Sequence, residues 1–125
     1  MGENPCRPAT NCLDARTGIF TGRTAKRARE QTVNGSYTLT QGQWHHLAVS
    51  LKGNICTLYV DGAQVGRNEQ MTLTPASLGN TTLNQIGKSK YGDPLFQGMI
   101  DDFRIYSRAL TDLEISILSN TTHTP

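Results

Sequence analysis

The sequence predicts an all-β fold, an antiparallel β-sandwich followed by one short C-terminal helix. Three observations support this prediction. From residue 36 onward, short segments alternate apolar and polar side chains, as strands do when one face is buried. Glycine-containing turns separate these segments, and a single helical pattern follows them. Short strands joined by tight turns are typical of antiparallel sandwiches.

Length and composition favour one globular domain. The 125 residues, 36% of them hydrophobic and 18% charged, are enough to bury one core. No apolar run approaches the roughly 18 residues of a membrane-spanning helix, and residues 1–5 lack the apolar stretch of a signal peptide. The net charge of +2 gives no general case for nucleic-acid binding. We therefore expect neither a membrane span nor a nucleic-acid partner.

Residues 1–35 differ in composition from the rest of the chain. They hold six of the twelve basic side chains against three acidic ones, with no sustained period of 2 or 3.6. We expect a weakly structured or divergent segment over 1–35, a domain over 36–119 and a tail over 120–125. The run Lys26–Arg29 could contact phosphates, but without aromatic residues it is more typical of a solvated stretch.

Three cysteines do not make a complete disulfide framework. Cys6 and Cys12 could close a small loop, which would imply an oxidising compartment. The cysteine and histidine spacing matches no zinc pattern. Cys56 falls within an apolar strand pattern, where we expect a buried free thiol.

A β-hairpin centred on Asp61-Gly62 is the strongest local signal. Residues 55–60 alternate before it, and residues 63–66 would form the returning strand. The dipeptide suits a two-residue type I′ turn, in which both residues take positive φ.

Two earlier strands are expected over 36–40 and 43–51, with a turn at 52–54. In the longer one, Leu47 and Val49 share an apolar face. Opposite the aliphatic side chains of this strand and of residues 55–60 lie Trp44, His46, Thr57 and Tyr59. If the two strands pair, these four side chains line one surface of the sheet.

The C-terminal third predicts two more strands and the helix. The strands cover 81–86 and 99–106, separated by a loop that contains the turn-forming trio Gly92-Asp93-Pro94. The helix covers 110–119. Its start is marked by a capping box of Thr111 and Glu114, with Leu110 and Ile115 as a hydrophobic staple.

An ordered series of motifs runs through residues 42–117. The motifs are GQWHHLAV at 42–49, LYVDG at 58–62, QIG at 85–87 and GMIDDFRIYSRAL at 98–110, the last continuing to Glu114-Ile115. This series resembles the laminin G-like jelly-roll family, a branch of the concanavalin A-like lectin/glucanase fold. The resemblance covers roughly the C-terminal half of such a domain, with no match to the family's early strands in 1–35. It implies a jelly-roll sandwich.

The resemblance also implies a cellular setting and partners. Such domains are often accessory parts of secreted bacterial glycoside hydrolases, or parts of cell-surface proteins. We therefore expect an extracellular or cell-surface location. A polysaccharide or other glycan is the expected ligand, and a catalytic domain of a longer polypeptide is a second expected partner.

The sequence predicts no catalytic activity of its own. Glucanases on this fold carry Glu-x-Asp-x-Glu on one strand, so that alternate carboxylates flank the scissile bond. This chain has no such triplet. Asp101 and Asp102 are adjacent on an expected strand and would point to opposite faces, and Glu114 is committed to the helix cap.

Asp101 is the candidate metal ligand. We expect it on the same face as Met99, Phe103 and Ile105, where a carboxylate needs partners. Calcium is one such partner, because hard cations take carboxylate oxygens and many relatives of this fold carry calcium. The alternative, which we favour, is a structural aspartate that accepts loop backbone N–H groups, because the sequence does not reveal the rest of an oxygen cage.

Two groups of side chains are candidates for ligand binding. Trp44, His46 and Tyr59 could form a platform on which sugar rings stack. For Trp44 and His46 we favour a structural role, filling the second face of a strand buried on both sides. Tyr91 and Asp93 belong to a loop that could carry binding groups, or that simply forms a turn.

The resemblance to the laminin G-like family, more than any single residue, implies a non-catalytic carbohydrate-binding or adhesion module that calcium could stabilise. The first alternative is a structural or protein-interaction module without a sugar ligand. The second is an incomplete gene product, whose exposed strand edges would promote association.

Overall fold

The computed structural model describes residues 12–15 (backbone only), 31, 33–80, 82, 84–88 and 94–121. Within them lie β1 (Cys12–Ala15), β2 (Val33–Thr38), β3 (Leu47–Lys52), β4 (Ile55–Val60), β5 (Ala63–Asn68), a 3₁₀ helix (Pro75–Leu78) and α1 (Asp112–Thr121). Strands β1 and β2 form a two-stranded antiparallel sheet. Strands β3, β4 and β5 form a second antiparallel sheet in chain order. The prediction of an all-β fold with one C-terminal helix is confirmed.

The three-stranded sheet is built from two consecutive hairpins. Strand β3 pairs with β4 from Leu47 opposite Val60 to Lys52 opposite Ile55. In the turn between β4 and β5, Asp61 has a φ of 50° and Gly62 a φ of 80°. Both signs are those of a type I′ turn, so the predicted hairpin is confirmed.

The hydrophobic core lies on one face of β4. Cys56 and Leu58 pack there against Val33 of β2 and against Met71, and all four are at most 2% exposed. Burial of each large side chain contributes about 1.5–3 kcal/mol to folding. Cys56 is a free thiol, as predicted, and burial raises its pKa.

Strand β2 crosses β5 in close backbone contact. A Cβ atom added to Gly66 would lie 3.1 Å from the Cα of Gly35 and closer still to the carbonyl oxygen of Asn34. Only glycine at residue 66 permits this approach of the two sheets. The domain boundary expected after residue 35 thus falls inside β2, a strand that takes part in the core.

The capping box at the start of α1 is confirmed. The backbone N–H of Glu114 donates to Thr111 Oγ1 (3.3 Å), and the backbone N–H of Thr111 donates to Glu114 Oε2 (2.8 Å). Arg108 donates to both carboxylate oxygens of Glu114, at 2.9 and 2.6 Å. Of the two staple residues, Ile115 is buried and Leu110 half-buried. The helix runs from 112 to 121, two residues later than predicted at each end.

Two predicted strands do not form in the described part of the chain. Residues 99–106 are neither strand nor helix, and neither are residues 82 and 84–86 of the other one. A strand needs a neighbour for its backbone N–H and C=O groups, and no described strand lies beside either segment. In the later segment Asp102 also has a φ of 51°, outside the strand region.

Candidate binding surface

Asp61 joins the β4–β5 turn to the residues that precede β3. Its Oδ1 accepts the backbone N–H of His46 at 2.8 Å, while its own backbone N–H donates to the carbonyl of His46, also at 2.8 Å. Because the Asp61 side chain takes the N–H of His46, strand β3 begins at Leu47 instead of at residue 43 as predicted.

His45 lies between two hydrogen-bond acceptors. Its Nδ1 is 2.8 Å from Asp61 Oδ2, and its Nε2 is 3.2 Å from the carbonyl oxygen of Thr40. A carbonyl and an ionised carboxylate can only accept, so both ring nitrogens of His45 face acceptor oxygens. The edge of the ring also meets Tyr37, with centroids 6.2 Å apart.

These contacts determine the electrostatics of Asp61. Partial burial by itself raises its pKa, but the hydrogen bond from the His45 side chain and the one from the His46 backbone outweigh that effect. The pKa of Asp61 is therefore below its ordinary value. The carboxylate is ionised and already engaged at neutral pH, which makes it a positioning group for this corner of the sheet.

The structure separates the side chains of the predicted stacking platform. Trp44 is 43% exposed, whereas Tyr59 is only 4% exposed. The hydroxyl of Tyr59 donates to Asp112 Oδ1 at 2.6 Å, where α1 begins, and burial, followed by this bond, raises the pKa of Tyr59. A ring so covered offers no face to a sugar, so Trp44 is the aromatic residue of the platform that solvent reaches.

The other two side chains of the predicted surface are also covered, Thr57 fully and His46 in part. Thr57 is buried beside Tyr59, so β4 is covered on both of its faces. His46 is half-buried, and its Nδ1 is enclosed without a hydrogen-bond partner among the described residues. The candidate surface thus consists of exposed Trp44 beside the corner formed by His45, His46 and Asp61.

Asp101 lies on an exposed segment. The apolar face expected around it is open to solvent, because Met99, Phe103 and Ile105 are all exposed. Asp101 Oδ1 accepts the backbone N–H of Asp102 at 2.8 Å. Over the described residues, no group of three or more His, Cys, Asp or Glu side chains could hold a metal ion. Calcium binding at Asp101 stays a prediction.

The loop candidates and the surface charges remain to be placed. Tyr91 and Asp93 lie outside the described residues. On the surface, Arg104 Nη2 donates to Asp102 Oδ1 at 3.4 Å. The sequence shows the His45-His46 pair and the Asp61-Gly62 turn separately, but not the contact that joins His45 to Asp61 across 16 residues. Within the described ranges, no helix is long and apolar enough to cross a membrane.

The fold and the sequence assign the chain to a family. Residues 11–116 match the model of a laminin G family described as Concanavalin A-like lectin/glucanases superfamily. The chain therefore belongs to this laminin G-like family. The match begins at residue 11, well before residue 42, so the family resemblance extends further toward the N-terminus than the motifs indicated.

Two individual proteins are similar to the chain. A solved structure, described as an S-layer domain-containing protein (residues 221–444) from Clostridium thermocellum ATCC 27405, is 42% identical with a TM-score of 0.60. The match covers 72% of this chain and 45% of that one. The Adhesion G-protein coupled receptor V1 of Danio rerio is 26% identical over 83 residues, 66% of this chain and 1% of the receptor. The chain thus spans less than half of each relative.

Proposed function

We propose that this chain is a non-catalytic adhesion module that docks glycans outside the cell. Family membership and the printed names of the two relatives, an adhesion receptor and an S-layer domain-containing protein, support an adhesive role and a surface location. The observation that carries the proposal is the exposed indole of Trp44 beside a corner already fixed by Asp61.

Trp44 would bind the apolar face of a sugar ring by stacking. Aromatic rings that are partly exposed and rigidly held suit this role, because little conformational freedom is lost on binding. Gln41 and Gln43 are exposed in the turn that precedes Trp44, and their amides would supply hydrogen bonds to sugar hydroxyls. The bonds from His45 and His46 to Asp61 hold the backbone next to Trp44 in place before the ligand arrives.

Absence of catalysis is part of the proposal. The chain has no Glu-x-Asp-x-Glu triplet. Asp61 and Glu114, two carboxylates with lowered pKa values, are both occupied by structural hydrogen bonds. A general acid needs the opposite, a carboxyl group whose pKa is raised toward neutrality.

Titration calorimetry with arabinan, xylan and galactan fragments tests the proposal through Trp44→Ala. We expect the substitution to weaken binding at least tenfold, the effect of losing about 1.4 kcal/mol of stacking. Tyr106→Ala is the matched control, because Tyr106 is 44% exposed but lies elsewhere in the chain. No binding by the parent chain, or equal losses in both variants, would contradict glycan docking at Trp44.

Calcium binding is tested separately, by thermal unfolding. We propose Asp101 as a ligand, since its exposed carboxylate is available to a hard cation. Added calcium should raise the melting temperature of the parent chain but not of Asp101→Asn, and EDTA should reverse the shift. An equal calcium response in both proteins would remove Asp101 from the proposal.

A protein-interaction module is the second candidate function. It is favoured by the exposed apolar side chains between residues 95 and 106. If the glycan titrations fail, this candidate takes precedence.

A further inference from the structure

The turn that carries Trp44 is closed by the side chain that follows it. Residues 41–43 reverse the chain, with Gly42 at a φ of 76°. The ring of His45 reaches back over this turn, and its Nε2 lies 3.2 Å from the carbonyl oxygen of Thr40. Trp44 lies inside the loop that this contact closes. The position of Trp44 is therefore coupled to the contact between His45 and Thr40.

The other nitrogen of the His45 ring contacts Asp61. Its Nδ1 lies 2.8 Å from Asp61 Oδ2. Partial burial alone would raise the pKa of Asp61, but the hydrogen bonds from His45 and His46 hold it below its ordinary value. Asp61 is therefore ionised at neutral and mildly acidic pH. Because a hydrogen bond to a carboxylate is stronger than one to a neutral carbonyl, a ring with a single proton places it on Nδ1.

The charge of the ring then decides the contact with Thr40. A neutral imidazole has one N–H group and one lone pair, whereas the imidazolium has two N–H groups. When Nδ1–H donates to Asp61, the neutral ring turns the lone pair of Nε2 toward the carbonyl oxygen of Thr40, and two acceptors repel. The His45 side chain is only 10% exposed, which restricts a bridging water. The imidazolium donates to both oxygens.

The titratable groups that face this ring, within the described part of the chain, come from three places. Asp61 belongs to the β4–β5 turn, Tyr37 belongs to β2 with its ring centroid 6.2 Å from that of His45, and His46 is the next residue in the chain. Histidine is the side chain whose charge ordinarily changes between about pH 5 and about pH 8. Over this range Asp61 stays ionised, so an experiment has to separate His45 from His46.

We propose that protonation of His45 regulates glycan docking at Trp44, an inference that rests on the function proposed above. In mildly acidic solution, the imidazolium of His45 bonds to Thr40 and holds the turn with Trp44 in the position that binds. In mildly alkaline solution the bond to Thr40 is lost, and Trp44 is held less firmly. The affinity for glycans therefore falls as the pH rises from about 5.5 to about 8.

The response of Trp44 can be measured without any ligand. Trp44 is the only tryptophan of the chain, so its indole N–H gives one assignable NMR signal. We expect this signal to shift between about pH 5.5 and about pH 8, with the same midpoint as the ring signals of His45. Amide exchange protection at residues 41–44 should fall over the same range, which separates movement of the turn from a direct effect of the ring charge.

Two substitutions separate the histidines. His45→Gln has no titrating ring, and both pH-dependent changes should vanish in it. His46→Gln is the matched variant, because it removes the neighbouring ring and keeps the contacts of His45 with Asp61 and Thr40. Its backbone N–H still donates to Asp61. The pH profile of the parent chain should persist in this variant, and circular dichroism verifies the fold of both.

Calorimetric titrations at pH 5.5 and pH 8 measure the consequence for binding. With the arabinan, xylan and galactan fragments, the parent chain should bind about fivefold more weakly at pH 8, the effect of losing one hydrogen bond. His45→Gln should bind equally at both pH values. For His46→Gln the comparison concerns the pH profile and not the affinity itself.

Four results would overturn the proposal. The Trp44 signal and the amide protection of the parent chain could stay constant with pH, or follow a midpoint different from that of His45. Both could change in His45→Gln as they do in the parent chain. Glycan affinity could be equal at both pH values although Trp44→Ala weakens it. If no glycan binds at all, the proposed function fails and the regulated ligand with it, while the NMR signals decide separately whether His45 moves Trp44.

Discussion

Asp61 shows how one side chain can connect two parts of a sheet. It is held at positive φ in the β4–β5 turn and accepts hydrogen bonds from two consecutive histidines before β3. An alanine at this position leaves the backbone N–H of His46 and the ring N–H of His45 without their acceptor. Unmade hydrogen bonds of this kind cost about 1–3 kcal/mol each when they are shielded from water.

We expect Asp61→Ala to lower the free energy of unfolding by about 2 kcal/mol. Asp61→Asn should cost less, because asparagine keeps one acceptor oxygen and tolerates positive φ. Urea unfolding followed by circular dichroism measures both values. Equal losses in the two variants would show that neither the acceptor oxygen that asparagine retains nor its tolerance of positive φ contributes to stability.

Gly62 is the second residue of the same turn, and it lies against α1. A Cβ at this position would be 2.6 Å from Ser119 Oγ and 3.0 Å from the Cα of Ser116, at a φ of 80°. Gly62→Ala should therefore cost about 2–4 kcal/mol, from backbone strain together with overpacking.

Gly42→Ala is the control for the cost of placing an alanine at positive φ. Gly42 has a similar φ of 76°, but nothing lies within 4 Å of an added Cβ. We expect this substitution to cost only about 1 kcal/mol. The difference between the two variants in urea unfolding measures the contact between turn and helix. A loss for Gly62→Ala no greater than for Gly42→Ala would mean that α1 does not rest on the turn.

At the scale of elements, the start of α1 depends on an ionised Glu114. The hydrogen bond from Arg108, followed by those from Thr111, lowers the pKa of Glu114 from 4.5 to about 2. A carboxyl group with a lower pKa in the folded state stabilises the fold fully above its unfolded pKa. This contribution is lost as the pH falls from about 4.5 toward about 2.

We expect Glu114→Gln to be less stable than the parent chain at pH 6 and nearly equal to it at pH 2. Melting temperatures measured in steps between these values test the convergence. Glu69→Gln is the control, because Glu69 pairs with Arg67 on the surface, away from α1. A constant gap between Glu114→Gln and the parent at every pH would contradict the assigned role.

The elements differ in how well the sequence predicts them. The hairpin at Asp61-Gly62 and the cap at Thr111 depend on residues a few positions apart, and both form as predicted. The pattern at residues 99–106 is equally regular, but a strand also requires a backbone neighbour distant in sequence. Alternation describes the side chains of that segment and says nothing about the neighbour.

At the scale of the whole molecule, the same distinction applies to the binding surface. Alternation correctly places Thr57 and Tyr59 on the face opposite Cys56 and Leu58. It does not reveal that Asp112, 53 residues further on, accepts the hydroxyl of Tyr59 and covers that part of the face. Nor does it reveal that Asp61 meets a histidine 16 residues earlier. Local patterns predict faces, whereas tertiary contacts decide which faces remain open.

Cys56 gives the molecule an internal chemical reporter. Its sulfur lies beneath Val33 of β2 and is fully enclosed, so an alkylating reagent reaches it only when the two sheets separate. The rate of alkylation at this thiol therefore reports how often β2 lifts from β4. Mass spectrometry of the peptide that contains Cys56 would record that opening without any change to the sequence.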